Sequence, residues 1–217
     1  MPEYKTVGKE SYSEFTEKKS KFISHCISVN SQDQALQYIE KIKSKYNDAK
    51  HNTYAYCIHK PKILKYSDDS EPHGTAGIQI LTAIKNFDLQ DTLIAVTRYF
   101  GGILLGAGGL SRAYRKSAEE GIKNNSIIIK KLCVVTSLNV PYTLIKQILN
   151  ILNSSFSKIQ KIDYSVSIKI TAYIEKENFS LVEQKLSKCL GKKINLSILG
   201  EKYHSLDKYD IINKNTS

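Results

Sequence analysis

Arg98, Arg112 and Arg115 are the only arginines of the chain, and all three fall in or after one glycine-rich run, Thr97-Arg98-Tyr99-Phe100-Gly101-Gly102-Ile103-Leu104-Leu105-Gly106-Ala107-Gly108-Gly109-Leu110-Ser111-Arg112-Ala113-Tyr114-Arg115. Lysine supplies every other positive side chain, so the planar guanidinium fork is used here for a reason. Forks of this kind bind phosphate and carboxylate through two parallel hydrogen bonds. Glycines let a backbone come close to a ligand, and successive N–H groups can cradle an anion. Arg98, Gly101, Gly102, Gly106, Gly108, Gly109, Arg112 and Arg115 are therefore candidate anion-binding residues. Arg112 and Arg115, three apart, are expected on one helix face.

A second cluster precedes this run: Ser67-Asp68-Asp69-Ser70-Glu71-Pro72-His73-Gly74-Thr75. Gly74 and Thr75 stand where a helix begins, so their N–H groups join the anion-binding candidates. Asp68, Asp69 and Glu71 form an acidic loop that could hold Mg²⁺ through phosphate. The structural alternative is that these acids cap the helix or pair with the arginines. His51, His73 and Tyr99 are auxiliary candidates. His51 could be a base or simply open a strand, and His73 lies among carboxylates. Tyr99 and Phe100, beside Arg98, could stack on bases or belong to the core. The run is neither a Walker loop nor a Rossmann fingerprint. No Gly-x-Ser-x-Gly elbow occurs, and no nucleophile has an identifiable activating base. No metal-ligand set or cofactor is implied, and no catalytic residue can be named.

The elements that must position these residues follow from periodicity. Lys21–Val29 and His51–Ile58 read as strands; between them Ser31 caps a helix with Ala35, Leu36, Ile39, Ile42 and Tyr46 on its apolar face. Thr75–Phe87 reads as a helix, Asp91–Phe100 as a central strand, Gly106–Gly109 as a loop, and Leu110–Lys123 as a second helix. Beyond it come a strand over Ile127–Val140, a helix over Tyr142–Asn153, and strands over Ile159–Asp163 and Val166–Ile174. A helix capped by Asn178 and a strand over Ile194–Leu199 complete the pattern. That β-α-β-β-α-β order is ferredoxin-like. The fold class is α+β, with domains expected at 1–125 and 126–206 and a polar tail at 207–217.

The chain has 217 residues, 41% hydrophobic, enough for two small cores. Its apolar runs are far shorter than a bilayer requires, and the N-terminus lacks a signal-peptide pattern, so a cytoplasmic, non-membrane protein is expected. Cys26, Cys57, Cys133 and Cys189 have no metal or redox spacing and read as reduced core residues. The formal net charge is +11, divided as +4 over residues 1–125 and +7 over 126–217. That balance favours acidic partners such as nucleic acid, although dispersed lysines also simply solvate a surface.

Asp-Asp-x-Glu-Pro-x-Gly-Thr-Ala-Gly from Asp68, then Val-x-Arg-Tyr-Phe-Gly-Gly-x-x-Leu-Gly-x-Gly-Gly-Leu-x-Arg-Ala-Tyr ending at Tyr114, resembles the signature of the YigZ/IMPACT family. His51-Asn52 with Ala55-Tyr56, and Lys19-Ser20-Lys21-Phe22, resemble it too. The second half is similar to the C-terminal domain of the bacterial two-domain YigZ type. Ser70 departs from the pattern, which has glycine there; a positive φ would strain serine. The resemblance implies an N-terminal left-handed β-α-β domain similar to GHMP kinases and elongation factor G domain IV. It implies a ferredoxin-like C-terminal domain similar to that factor's domain V. Eukaryotic members of the resembled family restrain a translation-regulating kinase by competing for its ribosome-associated activator, through an added RWD domain; this chain is expected to start directly at the shared domain, so that mechanism does not simply transfer.

Three readings result. The first is a translation-linked regulator that binds RNA, ribosomes or translation factors through a glycine/arginine anion-binding surface. The second is an Mg-dependent enzyme acting on a nucleotide or other phosphate ester. The third is a protein-interaction regulator without nucleic-acid binding. The first is the working expectation.

Overall fold

The computed structural model describes residues 3–154, 156–194 and 196–206. The tail expected at 207–217 lies outside the described residues. The chain forms two compact α+β units: one within residues 5–128, the other from residues 129–206 together with residues 3 and 4.

The first unit follows strand β1 (Glu3–Val7) with the hairpin β2 (Ser11–Glu17) and β3 (Ser20–Ser28), helix α1 (Gln32–Lys45), and strands β4 (His51–Ile58) and β5 (Ile63–Ser67). Helix α2 (Gly77–Asn86), strand β6 (Thr92–Tyr99) and helix α3 (Gly106–Lys123) complete it. The antiparallel sheet runs β2-β3-β6-β4-β5. β6 lies at its centre, as the apolar run Leu93-Ile94-Ala95-Val96 leads one to expect of a strand covered on both faces. Alternation along β6 divides the core. Leu93 and Ala95 pack with Ala35, Ile39 and Ile42 of α1. Ile94 and Val96 pack with α2 and α3, whose buried residues include Ile80, Leu81, Ile84, Leu110, Tyr114 and Ile122. Arg98 continues the second series and points toward α2 and α3.

In the second unit β7 (Ile127–Val140) leads through a 3₁₀ turn (Tyr142–Leu144) into α4 (Ile145–Ser154). β8 (Ser157–Tyr164), β9 (Ile168–Glu175), α5 (Phe179–Leu190) and β10 (Ser197–His204) follow. Pairing gives β10-β7-β9-β8, all antiparallel, the ferredoxin-like order, with β1 also joined to β7. Ile148, Leu152, Val182 and Leu186 cover one face of this sheet.

Several boundaries differ from the sequence expectation. β1, β2 and β5 were not anticipated as strands. Gly106–Gly109 is not a loop but the first turn of α3. α2 begins at Gly77 rather than Thr75. The last strand is Ser197–His204: it overlaps the end of the apolar run Ile194–Leu199 and continues past it. Ser31 caps α1, its hydroxyl accepting from Gln34 N at 3.2 Å. Asn178 holds the N-cap position of α5 without capping it; its amide donates to Glu175 Oε2 at 2.7 Å instead. No helix among the described residues is long and apolar enough to cross a membrane.

Candidate functional site

Cross-strand register brings the chemistry together. Arg98 of β6 stands opposite His51 of β4 on one side and Phe22 of β3 on the other. Directly opposed residues share a face, so His51, Arg98 and Phe22 form a row turned toward α2 and α3. Arg98 is only 5% exposed and Glu71 7%. Arg98 Nη1 donates to Glu71 Oε1 at 2.7 Å, and Tyr114 Oη of α3 donates to the same oxygen at 2.8 Å. Arg98 Nη2 donates to Ser20 Oγ at 3.3 Å, and Gly101 N donates to that hydroxyl too. The guanidinium carbon lies 5.6 Å from the Phe22 ring centre and 5.5 Å from that of Phe100, an aromatic sandwich that favours a cation. Burial, then the Glu71 charge, push the Tyr114 hydroxyl far above its ordinary pKa, so it remains a donor.

His51 is 7% exposed. Its Nδ1 lies 2.9 Å from the carbonyl oxygen of Asp69. A carbonyl only accepts, so Nδ1 carries the proton. Nε2 is 3.8 Å from Glu71 Oε1, beyond hydrogen-bond reach.

The acidic loop is held by its own carboxylates. Asp68 accepts from Gly74 N (2.9 Å), Ala76 N (3.1 Å) and Gly77 N (2.8 Å), so it occupies the N-terminus of α2. Gly74 and Thr75 therefore serve this cap, and Thr75 Oγ1 donates to Pro72 O. Asp69 accepts from Asn52 N at 2.6 Å, and Asn52 in turn accepts from Thr97 Oγ1 at 2.7 Å, tying the loop to β4 and β6. Asp69 and Ser70 have φ of 43° and 67°. Ser70, where the resembled pattern has glycine, thus sits in the left-handed region where glycine is favoured. His73 stands in solvent, its Nδ1 3.8 Å from Asp68 Oδ2. Among the described residues no three His, Cys, Asp or Glu side chains converge to form a metal site.

The glycines do different things. A Cβ on Gly101 would fall 2.0 Å from the carbonyl of Lys19, so only glycine lets the two backbones pass. Gly102 and Gly106 have φ of 81° and 70° and turn the chain into α3. Gly108 and Gly109 lie inside the first turn, and Leu105 at the N-cap position makes no side-chain cap. The first N–H groups of α3 are thus left without a side-chain acceptor, in contrast to those of α2.

Two depressions border this structure. One, about 400 Å³, lies between the acidic loop and the glycine loop. His51, Glu71 and Arg98 line it, with Phe100, Leu104 and Leu105 as apolar wall. Gly106 and Ala107 of the first α3 turn, and Lys50, also border it. The other, about 240 Å³, lies between α3 and the β2–β3 turn, where Lys18, Arg112 and Lys116 meet with Glu17.

The three arginines are consequently not one site. Arg98 is buried against Glu71. Arg112 and Arg115 share the exposed side of α3 but diverge. Arg112 borders the second depression, whereas Arg115 Nη2 donates to Gln79 of α2 at 2.7 Å. Among the described residues Arg112 meets no carboxylate within ion-pair distance. Tyr99 leaves the site altogether, its hydroxyl donating to Asp48 Oδ1 at 2.8 Å; that bond and burial push it up to about 12. Sequence reasoning gave no role to Ser20, Asn52 and Tyr114, which entered only through the resemblance, and it missed Lys18 and Lys116. Tyr114 recurs at helical spacing with Leu110 and Ala118, so it reads as ordinary core.

Residues 18–122 match the Impact N-terminal domain. The chain is 37% identical to the IMPACT family member YvyE of Bacillus subtilis over 89% of both chains. It is 30% identical to the IMPACT family member YigZ of Escherichia coli over 70% of this chain and 76% of that one. A crystal structure described only as a hypothetical protein superposes with a TM-score of 0.62 at 24% identity, covering 93% of this chain and all of the other. The fold and site thus define a two-domain α+β protein of the Impact N-terminal domain class. The chain belongs to the IMPACT family, in its bacterial two-domain form.

Proposed function

We propose that this protein is a translation-linked regulator that binds RNA on ribosomes, or a ribosome-associated translation factor, through phosphate contacts and without catalysis. The family's implied link to translation supplies the context. The observation that carries the reading is the basic groove of Lys18, Arg112 and Lys116, with Arg112 unpaired among the described residues. Exposed guanidinium and ammonium groups on a rigid helix and turn suit phosphates, which position a protein without specifying sequence. The acidic loop argues in the same direction. Asp68 and Asp69 accept backbone N–H groups, and Glu71 holds Arg98 and Tyr114, so these carboxylates serve the fold.

The test is sedimentation of the purified protein with ribosomes across a salt series, beside an Arg112→Ala/Arg115→Ala variant. The expected result is co-sedimentation that falls with salt and is at least tenfold weaker in the variant. A folded protein that stays in the supernatant at low salt overturns the proposal.

A further inference from the structure

The depression between the acidic and glycine loops is separate from the basic groove, and its chemistry differs. Its two full charges of opposite sign, Arg98 and Glu71, neutralise each other. What remains is the Lys50 ammonium and the open N-terminus of the 18-residue helix α3, which carries about half a positive charge. The helix opens with Gly106-Ala107-Gly108-Gly109, so no long side chain screens its N–H groups.

A helix end alone binds nothing in particular. A polar group lining the same depression adds a second, independent indication. His51 Nε2 makes no hydrogen bond, because Nδ1 is used by Asp69 O and Glu71 is 3.8 Å away. His51 as a whole is more than nine-tenths buried. His51 Nε2 is not among the sealed, unsatisfied atoms, so it is open to the depression it lines and free to bond what enters. The wall opposite is apolar: Leu104 is 83% exposed and Phe100 50%, large hydrocarbon surfaces bordering the cavity. A volume of about 400 Å³ suits a small molecule rather than a nucleic-acid strand.

We infer that this depression is a binding site for a small organic anion, with a carboxylate or phosphate head on the first turn of α3 and an apolar ring against Phe100 and Leu104. His51 Nε2 hydrogen-bonds the ligand between head and ring. The site is independent of ribosome binding, and either can fail without the other.

The experiment is a ¹H–¹⁵N NMR titration of the whole chain with phenyl phosphate, benzoate and inorganic phosphate in parallel. The expected result is saturable movement of the Gly106–Gly109 amides and the His51 ring signals with at least one of the two ring-bearing anions. Inorganic phosphate is expected to bind at least tenfold more weakly. Whichever of phenyl phosphate and benzoate binds more tightly identifies the head group. Ala107→Asp places a carboxylate in the exposed first turn, where it favours the helix dipole, so its melting temperature is expected to hold while ligand affinity falls at least tenfold. Leu104→Ser, at a largely exposed position, is expected to weaken the ring-bearing anions alone. It should leave ribosome sedimentation unchanged. Shifts confined to the surface around Arg112, equal affinity for inorganic phosphate, or undiminished binding in both variants would each overturn the assignment.

Discussion

Arg98 carries a charge into a place with almost no water, and Glu71 is the residue that compensates it. Removing one member of such a pair leaves the other buried and alone, an effect on the order of 3–5 kcal/mol. Glu71→Gln is therefore expected to lower the urea midpoint severely, and the Arg98→Met/Glu71→Leu double variant to lower it much less. A double variant as unstable as the single one would show that the pair does more than balance charge. Ser70 makes the opposite case. Its φ of 67° strains a side-chain-bearing residue, so Ser70→Gly is expected to gain about 1 kcal/mol in thermal unfolding. A third residue sets an acid limit. Burial, then the Lys45 ammonium, hold His25 below its ordinary pKa of 6.5, with Glu10 opposing and Lys41 adding. The unfolded chain thus takes up this proton at higher pH than the folded one. The stability is fully present above 6.5 and lost as pH falls through the folded value. Urea midpoints measured between about pH 8 and pH 5 should decline on the acid side, and His25→Gln should flatten that decline.

The β2–β3 turn shows how an element can favour a surface over its own stability. Lys18 and Lys19 have φ of 45° and 64°, as a two-residue hairpin of this twist requires, yet neither is the glycine or asparagine such turns prefer. Lys18→Asn/Lys19→Gly is expected to raise stability by about 1–2 kcal/mol and to weaken ribosome sedimentation. A variant that binds ribosomes undiminished would separate the strain from function. Much of this element level was legible in the sequence. β6, β7, α1 and α5 carry clear periodicity, and Ser31 its cap. The missed strands are short or lie at sheet edges. In β2 and β5 polar residues alternate with exposed Tyr12, Leu64 and Tyr66, so no apolar run marks them. β10 was expected too early because its own residues are mostly exposed, while the apolar signal that opens before it includes Leu196, which packs into the core. The first turn of α3 reads as loop because glycine is a poor helix former; only tertiary packing after Leu110 makes it helical. The candidate site was legible as a cluster of residue types, but not as geometry. Nothing in the spacing says that Arg98 goes inward and Arg112 outward.

At the scale of the whole molecule, charge sets the expected behaviour in solution. A formal net charge of +11 makes non-specific attraction to nucleic acid general, so a single affinity means little without its salt dependence. For single-stranded contacts each neutralised phosphate contributes a slope of about 0.7 in log–log plots. The Arg112→Ala/Arg115→Ala variant is expected to flatten the plot by about 0.7 through the groove-lining Arg112, and by about 1.4 if Arg115 also leaves Gln79 for a phosphate. An unchanged slope would mean that lysines elsewhere carry the attraction.

The place of β6 at the centre of its sheet has a consequence during biosynthesis. The strand is made after both of its neighbours, so β3 and β4 leave the ribosome with bare inner edges and wait for Thr92–Tyr99 to arrive. Until then the five-stranded sheet cannot close, and the inner edges of β3 and β4 are open to mispairing. Arg98, Glu71 and His51 meet only when that last strand slides between them. The birth of the site and the closing of the sheet are one event.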